Sequence, residues 1–141
     1  MKLPMSPSEL LVLAIVIAGI GIVARQFVGG GDDGAAVRVP ALSSTAQAGE
    51  AAFDANCASC HGRRGAGTHQ GPPLVHDIYN PGHHPDAAFQ AAVRNGARSH
   101  HWSFGDMPAQ PQVSEEQVRE IVRYVRELQR ANGIVPREHR M

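Results

Sequence analysis

Cys57-Ala58-Ser59-Cys60-His61 holds the only two cysteines in the chain, followed at once by a histidine. Four chemistries compete for this run. A disulfide between the two cysteines closes a very small loop and locks little. A thioredoxin-like dithiol needs a βαβ setting, and no segment alternates apolar and polar residues over the length of a strand. A structural zinc takes four ligands. This run offers three, and adjacent Cys60 and His61 are poorly placed to share one tetrahedral ion. C-x-x-C-H as a covalent haem attachment remains. Two cysteines three apart on a helical turn reach both vinyl groups of one porphyrin edge as thioethers, and the next residue aims its imidazole at the iron.

An iron bound by His61 either takes a second axial ligand or stays open for chemistry. The stretch WSFGDMPAQP, residues 102–111, offers Met107, 46 residues after His61. An isolated methionine is more often core filler. Here Gly105 and Pro108 indicate a loop, and the next periodic helix starts seven residues later.

Outward from these motifs the chain reads as all-α with long loops, in keeping with its ten prolines and 15 glycines. Ser44 and Gln47 are spaced as a capping box opening a first helix that carries Gly49, Ala52, Phe53 and Asn56 into the cysteines. A middle helix fits Asp86 to Asn95, with Phe89, Ala92 and Val93 on one side and Gly96 after it. The last helix opens on a Ser114/Gln117 capping box. It carries Val118, Ile121, Val122, Val125 and Leu128 at helical spacing and stops at Gly133.

From Ala46 to about Ile134 the chain resembles a class I c-type cytochrome. The resemblance rests on GEAAFDANCASCHG (49–62), GPPL (71–74), DMPA (106–109) and IVRYVREL (121–128), in that order. It implies three to five helices wrapped around one covalent haem c per chain, attached through Cys57 and Cys60, with His61 and Met107 as iron ligands. It implies that Gly49 and Phe53 meet Ile121 and Tyr124 where the first and last helices cross. It places the Pro72 carbonyl as acceptor of the His61 Nδ1–H bond and Leu74 against the haem face. Trp102 and Phe104 are expected to pack on the haem, or Trp102 to bond a propionate through its indole N–H. Two features depart from the family. Lys2 is the only lysine, and from Thr45 onward ten arginines balance ten acids, so no lysine ring is available for docking. The stretch from His76 to His101 does not align residue by residue.

That stretch is rich in histidine. His69, His76, His83, His84, His100 and His101 all fall between the two expected iron ligands. Solvated loop histidines, or histidines bonded to propionates and backbone, are the simplest reading. A copper or zinc site drawing one residue from each of the pairs His83-His84 and His100-His101 is the sharper one. Replacement of Met107 on the iron by one of them is a third.

Leu10 to Ala24 is an unbroken apolar or glycine run, extended by Phe27 and Val28. Ser6, Pro7 and Glu9 suit a helix start, and Gly29-Gly30-Gly31 an end. A cleaved signal peptide would need a small-x-small site just after the run; the first convincing one, Ala46-Gln47-Ala48, comes too late. The expectation is therefore an uncleaved transmembrane anchor over 1–28, its helix over 7–28, with a buried core helix as the third option. A flexible linker over 29–44 and a cytochrome domain over 45–141 follow. The 13 basic and 13 acidic residues cancel, which excludes a general polyanion binder such as a nucleic-acid protein.

Haem is joined to such sites outside the cytoplasm in this family. The resemblance thus implies a single-pass inner-membrane protein with its haem domain on the periplasmic side. The expected function is one-electron transfer between respiratory or photosynthetic membrane complexes, with no small-molecule substrate and no enzymatic activity. A permanent cytochrome subunit of an oxidase or dehydrogenase is the alternative, and a haem enzyme such as a peroxidase a third reading.

Overall fold

The structure, a computed structural model, describes Ser8 and residues 12–17, 19–21 and 36–137. Four α-helices order the domain: α1 Ser44–Asn56, α2 Ala58–His61, α3 Asp86–Asn95 and α4 Glu115–Ala131. Single 3-10 turns cover Arg63–Gly65 and Asp77–Tyr79. Among the described residues there is no strand, only an isolated antiparallel bridge between Ala97 and Met107.

Helix α4 forms as its sequence dictates. The Ser114 hydroxyl accepts from the Gln117 N–H, and the Gln117 side chain accepts from the Ser114 N–H. Glu115 and Glu116 in the first turn and Arg130 in the last complement the helix dipole. Gly133 ends it at φ 80°. The buried face is wider than the apolar stripe, since it also takes in Arg126, Glu127 and Gln129.

The start of α1 differs from the expected Ser44/Gln47 box. Ser43 is the N-cap, with its hydroxyl accepting from the Ala46 N–H at 3.2 Å. Ser44 is the first helical residue, and the Gln47 side chain donates to the Leu42 carbonyl instead. A tertiary partner accounts for the shift. Glu127 of α4 accepts from the Ser43 N–H at 3.0 Å and from its hydroxyl at 2.8 Å, holding Ser43 in the capping position. The same attachment continues upstream, in the stretch read as linker. The Arg38 N–H donates to Asn132 Oδ1 at 3.0 Å, Asn132 Nδ2 donates back to the Arg38 carbonyl, and Val37 and Leu42 pack on the core.

Helices α1 and α4 cross in direct backbone contact. A Cβ added at Gly49 would sit 2.0 Å from the Glu120 carbonyl oxygen, so only glycine allows this approach. Phe53 and Tyr124 fill the space beside the notch, fully buried, with ring centroids 5.6 Å apart. Ile121 joins them in the core. Helix α3 runs over the expected residues and ends at Gly96 with φ 77°.

Arg126 fastens α3 and its preceding loop to α4. It is buried, donates to Asp86 at 2.8 Å, to the Tyr79 carbonyl at 2.8 Å and to the His84 carbonyl, and its guanidinium lies over the Phe89 ring. The sign of its charge is matched by Asp86 and its protons are matched by carbonyls, which is what keeps a buried arginine tolerable.

In the N-terminal unit the described residues are helical and exposed, including Val12, Ile15, Ile17 and Ile20. Among the described residues no helix is long and apolar enough to cross a membrane. The expected start at Ser6, Pro7 and Glu9, the extension through Phe27 and Val28, and the stop at Gly29–Gly31 lie outside the described residues.

Phe53→Ala should cost about 3–5 kcal/mol of domain stability, as truncations of large buried aromatics do. Thermal unfolding followed by circular dichroism checks this. An unchanged melting temperature would show that Phe53 contributes nothing to the helix crossing.

Candidate haem centre

The site grows directly from the end of α1. The Cys57 N–H donates to the Phe53 carbonyl at 2.8 Å, and α2 adds a single turn in which the His61 N–H donates to the Cys57 carbonyl at 2.9 Å. This turn leaves Cys57 half-buried and Cys60 exposed, both as free thiols. Burial, reinforced by the neighbouring Cys60, pushes the Cys57 thiol up to about 11. It is a neutral thiol at ordinary pH, the opposite of the low-pKa thiolate that a dithiol redox centre needs.

His61 is buried, and its Nδ1–H donates to the Pro72 carbonyl at 2.9 Å. A carbonyl can only accept, so Nδ1 carries the proton and Nε2 keeps its lone pair. Burial lowers the imidazole pKa, against the opposing pull of the Pro72 bond. The ring is therefore neutral and oriented, as a metal ligand must be. The loop after α2 folds back to make this possible: the Gly67 N–H donates to the His61 carbonyl and the Leu74 N–H to the Gly65 carbonyl.

Between the α1–α2 wall and α3 lies an apolar cavity of about 420 Å³. Phe53, Cys57 and His61 form one side, Pro72 and Leu74 the floor, and Phe89, Ala92 and Val93 of α3 another side. Trp102, Phe104 and Met107 close it from the loop after α3. Of the residues singled out in the sequence, Cys57, His61, Pro72, Leu74, Trp102 and Met107 thus meet around one space. Cys60 is on the adjoining turn, outside the lining.

Met107 is held by backbone, beyond what Gly105 and Pro108 suggested. Its N–H donates to the Ala97 carbonyl at 2.9 Å and its carbonyl accepts from the Ala97 N–H at 3.0 Å. Gly96 makes the pairing possible, because a Cβ there would lie 2.6 Å from the Met107 carbonyl oxygen. In the sequence Gly96 read only as a helix stop.

Trp102 supplies a direct indication of a missing partner. Its indole Nε1 is shielded from solvent and has no hydrogen-bond partner. Its effect on Tyr79 is to ease slightly a hydroxyl pKa that burial pushes up, without reaching hydrogen-bond geometry. A buried unpaired donor is costly, and this one lines the cavity.

Several site residues had no sequence motif. Tyr79 and Phe89 line the cavity, and Gln129 of α4 donates to the Leu74 and Tyr79 carbonyls at 2.8 and 3.0 Å. The one available signal was register: Arg126 and Gln129 each stand four residues after a buried valine of α4, Val122 and Val125.

Two thiols one helical turn apart, a neutral imidazole with a free lone pair, an apolar cavity and an unpaired indole N–H suit a covalently held porphyrin. They define a c-type haem domain. A family model for cytochrome c matches residues 46–129, and the chain belongs to the cytochrome c family. It carries haem c attached through Cys57 and Cys60, and it is by family an electron carrier of the class I c-type. Neither curated proteins nor solved structures give a match to the chain.

Cys57→Ser or Cys60→Ser alone should leave a single thioether and poor maturation, and the double change no covalent haem. Haem staining of denaturing gels reads this out. Covalent haem on the double variant would overturn the attachment.

Proposed function

We propose that this protein is a membrane-tethered monohaem cytochrome that passes single electrons between membrane redox complexes, with His61 and Met107 as the two residues that would hold its iron. The observation that carries the reading is that the His61 and Met107 side chains line the same cavity, the first fixed by Pro72 and the second by the bridge to Ala97. The haem supplies a one-electron iron couple when bound. His61 Nε2 offers a lone pair whose direction the Pro72 carbonyl sets. Met107 offers a soft thioether that favours the reduced iron and raises the potential relative to two nitrogen ligands. Phe89, Trp102 and Phe104 add apolar surface to the cavity lining. Held by both residues in either oxidation state, the iron would have little to reorganise around, which suits a carrier and not a peroxidase.

The anchor over 1–28 is supported by the unbroken apolar run from Leu10 to Ala24 and by the exposure of its described residues. With the family's extracytoplasmic haem attachment, this orients the domain to the periplasmic side of the inner membrane. Its partners are membrane redox complexes that dock without a lysine ring, through arginines and acids in equal number. A permanent subunit of one such complex would differ by co-purifying in stoichiometric amounts.

Met107→Ala should open the iron. Fast binding of carbon monoxide or cyanide, a shift towards high spin and a lower reduction potential are expected in the variant and absent from the wild type at neutral pH. Immediate carbon monoxide binding by the reduced wild type, or an unchanged potential in Met107→Ala, would remove Met107 from the iron.

Replacing residues 1–28 with a cleavable signal should give a water-soluble holoprotein with the native spectrum. Isolation of the natural protein with an N-terminus at or beyond Gly29 would show that the segment is removed and that no tether exists.

A further inference from the structure

The histidines outside the haem centre are not scattered. His83, His84 and His101 each place one ring nitrogen so that all three lie within 4.8 Å of one another. We propose that these three imidazoles form a second metal site, selective for a borderline divalent ion such as zinc(II) or copper(II).

The geometry goes further than proximity. The His83 and His101 Nε2 atoms are 3.0 Å apart. Two nitrogens bound to one tetrahedral ion at about 2.0–2.1 Å stand roughly 3.3 Å apart, so a small opening of this pair accommodates the ion. His84 Nδ1 lies 2.8 Å from the Ile78 carbonyl. It must donate there, which leaves the lone pair on Nε2 and fixes the ring in the way that ligating histidines are usually fixed. Neighbouring residues normally point apart, and the sequence suggested one ligand from each pair. Here the His83 and His84 rings meet edge-on at 4.6 Å and 79°, so both serve. His100 stacks on His84 at 5.8 Å and lies 4.3 Å from the His101 ring, but its Nδ1 is bonded to the Arg98 carbonyl and it offers no nitrogen to the group.

The turn that carries His83 and His84 is rigid before any ion arrives. Buried Asn80 accepts the Gly82 and His83 N–H groups on its side-chain oxygen, and its carbonyl accepts the His84 N–H. Arg126 holds the His84 carbonyl from the core. That guanidinium is a positive charge near the site, and its pairing with Asp86 offsets the repulsion. The loop that carries His101 is tied by the Ser99 N–H to Asp106. Imidazole nitrogens as ligands match late first-row ions better than hard calcium or magnesium, which take oxygen. His101 is exposed, which leaves a fourth position for water. His84 and His101 also line the haem cavity, so the ion would sit in its wall.

The test uses the full-length holoprotein in detergent, without a polyhistidine tag and after chelator treatment. Titration with zinc chloride by calorimetry should show one saturable site. His83→Ala, His84→Ala and His101→Ala should each weaken it at least ~10–100-fold, and His69→Ala, an exposed histidine outside the cluster, should leave it unchanged. Copper(II) bound to the wild type should show three imidazole nitrogens by pulsed electron paramagnetic resonance, a readout independent of any variant's folding. No saturable binding, equal loss in His69→Ala, or fewer than three nitrogens on copper would overturn the assignment.

Discussion

The constraint on which this domain depends is a space its own side chains do not fill. Protein interiors are close-packed and hold few voids larger than a water molecule. Yet a cavity of about 420 Å³ lies between α1, α3 and the Met107 loop. Its walls are apolar and its rims are held by main-chain bonds, so neither collapse nor flooding relieves it cheaply. Haem, tied at Cys57 and Cys60, resolves the conflict by supplying the missing contacts. The helix crossing, the Pro72 carbonyl, the Ala97–Met107 bridge and the Arg126 network then read as supports around a guest that belongs to the core.

Those supports divide into two sets by their distance from the haem. Near the cavity, each polar group has one narrow role. Pro72 sets the tautomer of His61, and Ala97 with Gly96 sets the place of Met107. Further out, buried polar residues of α4 act as brackets. Arg126 and Gln129 bind the loop carbonyls of Leu74, Tyr79 and His84, while Glu127 binds Ser43. Long loops need such brackets, because they have few backbone partners of their own.

Much of this was legible in the sequence, and for local reasons. The C-x-x-C-H run, the Ser114/Gln117 box, the valine and isoleucine stripe of α4 and the limits of α3 are written in adjacent residues, and the structure follows them. Met107 stood out by its glycine- and proline-flanked loop, Pro72 by the family resemblance, and both line the cavity. The remainder depended on partners far along the chain. Ser43 displaced Ser44 as cap because Glu127, 84 residues away, binds it. Residues 36–43 looked like spacer because their partners, Asn132 and the core, lie at the other end of the chain. Gly96 read as a helix stop, since its contact with the Met107 carbonyl is invisible without the fold. The histidine pairs were conspicuous in the sequence, but the rule that neighbours diverge hid the convergence of His83 with His84.

The notch at Gly49 has a consequence for motion. Two smooth helices can slide along each other at little cost, and a pair joined only by side-chain packing keeps that freedom. Here the Glu120 carbonyl oxygen occupies the place where a Cβ would be. A slip of one turn would bring Thr45 or Phe53 to that point, and neither has room. Translation along the crossing is thereby blocked in both directions, leaving one permitted register. Phe53 and Cys57, one and two turns further along the same helix, inherit their positions from that stop, as a vernier inherits its zero.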